Sequence, residues 1–132
     1  MDWILRAKIN RVLDCRSLDL VFDLGFSIKF RHDVFLNDYV VEDSLRAEAK
    51  NCLILLIGGH RVIVKSEKKD GIYIAKVYLY IPTKISGCND DVGDKRLQCV
   101  NRVMSVLSSR GYDSEYLKSM LPDVRLFDKN EV

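Results

Sequence analysis

From Trp3 to Ile9 the odd positions Trp3, Leu5, Ala7 and Ile9 are apolar while Arg6, Lys8 and Asn10 are polar, the two-residue period of a half-buried strand. Asp14-Cys15-Arg16-Ser17 interrupts the pattern. Leu18, Leu20 and Phe22 then alternate with Asp19, Val21 and Asp23, so a tight turn returns the chain as a second strand. Gly25 supplies another turn, after which Phe26, Ile28, Phe30 and the stretch from Val34 to Leu36 predict a third strand, bulged near His32-Asp33. The period changes at Ser44. From there to Ile57, Leu45, Ala49, Cys52, Leu53 and Leu56 fall at helical spacing with Arg46, Glu48, Lys50 and Asn51 opposite. Asp43 or Ser44 can cap this helix, and Gly58-Gly59 ends it with residues that tolerate positive φ.

Alternation returns in Arg61 to Ser66 through Val62 and Val64, and a lysine-rich turn runs to Gly71. Ile72 to Ile81 is a β-branched and aromatic run closed by Pro82, giving strands four and five. Ser86 to Asp94 is a polar loop. A second helix is expected from Lys95 to Arg110, burying Leu97, Val100, Val103, Met104 and Leu107 and stopped by Gly111. Ser114 to Leu121 predicts a short third helix before Pro122 and a charged tail. Three strands, helix, two strands, helix is the order of a small Greek-key barrel, and an SH3-like barrel would not include the central helix. The expected fold class is α+β: a five-stranded OB-fold β-barrel with a helix across its open end and one or two C-terminal helices. Residues 1–112 form the barrel domain and 113–132 a short helical extension or tail.

A chain of 132 residues, 48% hydrophobic and 30% charged, can bury one core unaided and is neither disordered nor collagenous. Its 21 basic and 19 acidic side chains leave a net charge of +2, too even for charge alone to predict nucleic acid. Local clusters remain: Arg6, Lys8 and Arg11; Lys29, Arg31 and His32; Lys65, Lys68 and Lys69. A solvated strand face is the simpler account of each. Cys15, Cys52, Cys88 and Cys99 match neither a metal knuckle nor a redox motif, so reduced, buried thiols are expected. Asp2, Arg6, Lys8 and Arg11 stand where the apolar core of a signal peptide would lie, and the longest apolar runs, such as Cys52 to Ile57, are too short to cross a bilayer. These features predict a cytoplasmic protein, in the host cytoplasm if phage-encoded, with no membrane partner.

The residues also carry a family likeness. Ala7 to Leu13, the turn Asp14-Cys15-Arg16-Ser17, Leu18 to Phe22 and Asp23-Leu24-Gly25-Phe26 follow the opening of the staphylococcal-nuclease-like (thermonuclease) family, which runs from a strand through Asp-Gly-Asp-Thr to a second strand and often an Asp-Leu-Gly-Phe hairpin. The pattern continues through the helix, Lys69-Asp70-Gly71, the Tyr73 to Tyr78 strand and Val100-Asn101-Arg102, covering roughly residues 3 to 112. The chain resembles the short versions of that family carried by phages and other mobile elements.

The departures fall on the chemistry. The family's calcium-binding second Asp of the turn corresponds to Arg16. Its Arg-Leu-x-Gly-Ile-Asp-x-Pro-Glu stretch corresponds to residues 35–43, so Phe35 stands for a catalytic arginine, Val40 for a metal-binding Asp and Asp43 for the glutamate base. The later Gly-Arg pair reads Gly71-Ile72. Phosphodiester hydrolysis of that kind needs a hard cation and positive donors aimed at phosphorus. Loss of one such donor typically costs about a hundred- to a thousandfold, so the resemblance implies a fold without the activity, with no metal and no cofactor. Asp14, Asp38, Glu42 and Asp43 could build a shifted metal site, although acidic residues in turns and caps are common for local backbone reasons. His32 and His60 stand without a nucleophile at recognisable spacing, and Ser17 lacks a Gly-x-Ser-x-Gly context.

Two uses of the surface are then expected. The first is an inhibitor or regulator that binds a host or rival protein complex through apolar replacements at the old site: Phe35, Tyr39, Val40, Val41 and Ile72. The same residues could simply fill the cleft. The second is non-catalytic nucleic-acid binding through Arg6, Lys8, Arg16, Lys29, Arg31 and Lys65 with Tyr73 or Tyr78 as stacking partners. A divergent metal-dependent nuclease is the third.

Overall fold

The alternating segments become strands whose apolar faces line one interior. The computed structural model describes residues 3–37, 39–81, 83, 85, 87, 88 and 96–121, and of Trp3 only the backbone. Strands β1 (Trp3–Val12), β2 (Ser17–Asp23) and β3 (Lys29–Leu36) form an antiparallel meander. A 3-10 turn at Asp43–Leu45 leads into helix α1 (Arg46–Ile57), and β4 (Arg61–Lys69) and β5 (Ile72–Tyr80) come next as a second hairpin. β4 pairs with β1, and the start of β5 pairs in parallel with the end of β3 at Phe35↔Ile74 and Leu36↔Ala75. The ring β1-β2-β3-β5-β4 is thereby closed, so this is an α+β, OB-like barrel.

Inside the ring, Ala7, Ile9, Leu18, Leu20, Val34, Leu36, Val62, Val64, Ala75 and Val77 are buried, as the two-residue period requires. Ala49, Cys52, Leu53 and Leu56 of α1 join the same core from the helix's three- and four-residue spacing, and Leu55 and Ile57 are buried as well. No side chain caps α1: Asp43 pairs with Arg46 at 3.0 Å instead of accepting a first-turn amide. At the other end Gly59 takes the positive φ, whereas Gly58 does not.

Three local expectations are corrected. β3 is in unbroken register with β2 from Lys29 to Phe35, so there is no bulge at His32-Asp33; the irregularity lies in β1 between Ile9 and Arg11. β1 pairs with β4 before this irregularity, from Trp3 to Lys8, and with β2 on both sides of it. Phe26 and Ile28 are turn residues rather than part of β3, because positive φ at Gly25, Phe26 and Ser27 reverses the chain before pairing resumes.

The third correction concerns the segment before the second helix. Leu97–Cys99 is a strand, β6, on the end of β5, and α2 spans only Val100–Ser108. β5 shares one edge between two partners, β3 at Ile74 and Ala75 and β6 from Tyr78 to Tyr80. In the gap between them, the Asn101 carboxamide accepts from Val77 N at 3.0 Å and donates to Ala75 O at 2.9 Å, serving the edge as a strand residue would. Gln98 donates to Ile81 O (2.8 Å) and Thr83 O (2.7 Å) and accepts from Ile85 N (2.9 Å). Satisfying those buried groups outweighs one more helical turn. Helix α3 (Ser114–Met120) comes after a left-handed pair at Gly111 and Tyr112, is capped by Asp113 accepting from Glu115 N, and buries Leu117 in the common core with Leu121 just beyond it. Pro82, Asp38, most of the 86–94 loop and the tail from 122 lie outside the described residues.

Candidate functional site

The cleft that the family likeness points to is built from the β1–β2 turn, the end of β3 and the start of α1. Leu13, Asp14, Cys15, Arg16, Phe35 and Val41 form one side of a crevice of about 330 Å³, and Arg46 and Lys50 of α1 form the other. Arg16 is fixed there: its Nε donates to Leu36 O at 3.2 Å, and its guanidinium carbon lies 4.5 Å from the Phe35 ring centre and 5.6 Å from that of Tyr39. Cation-π contact of this kind holds a guanidinium flat against the rings. Asp14, the one carboxylate among the described residues of the wall, accepts from Arg16 N at 2.8 Å and so serves its own turn. Three cations around one occupied carboxylate do not fit a hard divalent cation, which needs several oxygen ligands. Among the described residues no three His, Cys, Asp or Glu side chains group as a metal site would require. Of the carboxylates considered for a shifted site, Asp43 is exposed and paired with Arg46, and Asp38 lies outside the described residues.

The loop after β3 is fastened at three points. Asn101 donates to Asn37 O at 3.0 Å, the Tyr39 hydroxyl donates to Cys15 O at 2.7 Å, and the Tyr112 hydroxyl donates to Val40 O at 2.9 Å. Burial pushes the Tyr39 hydroxyl far above the ordinary phenol range, so it stays a donor. Tyr39 is therefore a core residue, whereas the Val40 side chain is 78% exposed. Phe35 and Val41 share the crevice wall; Ile72, exposed at the start of β5, is not among its residues. With Tyr39 buried, the five positions are not all available on the surface.

The candidate nucleic-acid residues separate just as clearly. Arg31 is committed to Asp19: Nε donates to both carboxylate oxygens at 3.0 and 3.1 Å and Nη2 to Oδ2 at 2.7 Å. Asn10 adds a donor at 2.8 Å, Arg11 stands at 3.8 Å, and Asp19 is left 1% exposed. Tyr78 is fully buried. Tyr73 meets His32 edge-on at 4.6 Å, with the Lys68 ammonium 5.6 Å from its ring centre. Lys65 is half-buried at a shallow recess beside Asn37 and Ser66.

Arg6, Lys8 and Lys29 do come together. They line an open groove of about 1090 Å³ across the outer face of β1, β2 and β4, bounded by β5 and β6. Register builds it: Lys8 lies opposite Arg61 on β4, Arg6 opposite Asp23 on β2, and Asp23 opposite Lys29 on β3. Among the described residues, Arg6, Lys8, Lys29 and Arg61 face a single wall carboxylate, Asp23, whose Oδ1 accepts from Gly25 N at 2.9 Å. None of those four cations is ion-paired to a described residue. Tyr80, more than half exposed, stands on the same wall. Arg61 and Tyr80 were not singled out by sequence reasoning; the pairing of Lys8 with Arg61 across β1 and β4 would have signalled the first, had the register been known.

The four thiols are free and buried, and burial raises the pKa of each, that of Cys52 to about 11. Among the described residues no helix is long and apolar enough to cross a membrane. Comparison with family models, curated proteins and solved structures returned no match.

Proposed function

We propose that this chain is a catalytically inactive barrel of nuclease-like descent that binds single-stranded nucleic acid along its outer groove. The supporting observation is the segregation of charge there: among the described residues, four cations without ionic partners stand against one carboxylate already engaged by a backbone amide. Such a surface attracts a phosphate backbone even in a chain of nearly balanced charge. Arg16, Phe35, Val40 and Ile72, standing where the family that the chain resembles has metal ligands and catalytic arginines, support the inactivity. A protein partner docking on Phe35, Tyr39, Val40, Val41 and Ile72 draws less support, since Tyr39 is buried and Arg16 lies over Phe35.

Labelled oligothymidylate and oligouridylate titrated across a salt series test this reading. Four phosphate contacts give log K against log salt a slope of about −3 on single strands. The double variant Lys8→Glu/Arg61→Glu should weaken binding and roughly halve that slope, and no cleavage should appear with Ca²⁺ present. An unmodified protein that ignores both strands at low salt, while a host or rival protein complex co-purifies with it, overturns the proposal in favour of the inhibitor reading. Chelator-sensitive cleavage abolished by Asp43→Ala would instead mark a divergent nuclease.

A further inference from the structure

The hairpin joining β2 to β3 carries the most exposed aromatic ring described. Phe26 is 99% exposed, and Leu24, Ile28 and Phe30 beside it are each about half exposed. The backbone beneath the ring is held in an unusual shape: Gly25, Phe26 and Ser27 have φ of 81°, 51° and 63° in succession. Glycine adopts that region freely, but a bulky side chain does so only at a cost. The turn is nevertheless well tied, with Leu24 N donating to Ile28 O at 3.0 Å, Ile28 N to Gly25 O at 2.8 Å and Gly25 N to Asp23 Oδ1 at 2.9 Å. A costly backbone shape kept in place to present an aromatic ring to water points to a ligand for that ring.

Position decides which ligand. Asp23 and Lys29, the cross-strand pair at the base of this hairpin, are both wall residues of the cationic groove, so the hairpin that carries the ring springs from the groove's wall. The Asp23 carboxylate is engaged by Gly25 N, which leaves Lys29 as the free charge beside the tip. An apolar ring beside cations is complementary to a nucleobase attached to a phosphate backbone. We infer that Phe26 is a base-stacking residue that receives an unpaired base of a single strand whose phosphates lie along Arg6, Lys8, Lys29 and Arg61. This inference rests on the nucleic-acid reading of the groove and adds the part of the ligand that the cations do not read.

The test compares oligothymidylate with an abasic strand of equal length, which keeps the phosphates and lacks the bases. The wild-type chain should prefer the strand with bases. Phe26→Ala should lose that preference, binding oligothymidylate about 5- to 150-fold more weakly, as the usual loss of one base–aromatic stack predicts, with abasic binding and salt slope unchanged. Phe26→Trp should restore affinity, and its added fluorescence should be quenched by oligothymidylate but not by the abasic strand. The side chain touches solvent, so both variants are expected to fold as the wild type, which circular dichroism checks. Equal binding of oligothymidylate by Phe26→Ala and wild type overturns the stacking role and leaves the cationic groove standing. Equal weakening toward both strands also overturns it. Loss of all strand binding in the wild-type chain removes both readings. Phe26-dependent capture by phosphatidylserine vesicles, without discrimination between the strands, would reassign the tip to a lipid surface.

Discussion

Asp19 shows how one side chain can look like a surface residue in sequence and behave as a structural one. Its place in the alternation puts it on the outer face, where carboxylates normally remain solvated. Here Arg31 and Asn10 cover it, the Arg31 fork being planar and two-pronged. The Arg31 hydrogen bonds hold the carboxyl below its ordinary pKa, against the opposing effect of burial, with Asn10 and then Arg11 assisting. A carboxyl whose folded pKa is depressed adds stability above its unfolded pKa and loses it as pH falls through the folded one. Asp19→Asn should therefore destabilise the fold at neutral pH by about 1.5–3 kcal/mol, the usual worth of a hydrogen bond to a charged group. The deficit should shrink as pH drops below about 4. Thermal melts of both proteins from neutral to acid pH check this, and a deficit that stays constant to the acid end would place the effect in packing rather than charge.

Among the joints between elements, Asn101 is the residue on which most depends. It completes the β5 edge that β3 and β6 leave open and holds Asn37 O in the loop after β3, so α2, β5 and that loop meet on one carboxamide. Asn101→Ala leaves Val77 N, Ala75 O and Asn37 O without that partner, and each buried unsatisfied group costs about 1–3 kcal/mol. A loss of roughly 3 kcal/mol or more is expected, measurable as a lowered urea midpoint at unchanged slope. Asn101→Leu, close in size, should do no better, because the backbone groups remain unpaired. These elements also mark what the sequence could show. β1 to β5 and α1 were readable from periods of two and of three to four residues, since each has one face in the core. β6 was not, because Leu97, Val100 and Val103 also fit a helical stripe, and only the open edge of β5 and the demands of Gln98 decide for a strand. The site was half-legible for the same reason: Lys8 and Lys29 stand out as cations, but Arg61 joins them only through the β1–β4 register.

For the molecule as a whole, the barrel's stability depends on its C-terminal segment. The sequence suggests an extension after residue 112, yet Leu117 and Leu121 are fully buried in the common core, and Tyr116 and Met120 pack against it. Tyr112 links the same region to Val40 through its hydroxyl and to Cys52 through its carbonyl, which accepts from the thiol at 3.0 Å. Complete burial of a leucine contributes about 1.5–3 kcal/mol, so two of them represent roughly 3–6 kcal/mol as an upper estimate. Domains of this size are stable by about 5–15 kcal/mol, which makes α3 a large share of the total. A chain ending at Tyr112 should melt lower by roughly 6 °C or more, given about 2–8 °C per kcal/mol, and should expose apolar surface on α1. The groove lies across β1, β2 and β4, and its walls include no residue of α3. At a temperature where the truncated chain is still folded, it should therefore bind oligothymidylate with the full-length affinity and salt slope. Equal melting temperatures would make 113–132 a dispensable appendage; loss of binding in a folded truncated chain would place part of the nucleic-acid surface at the C-terminal end.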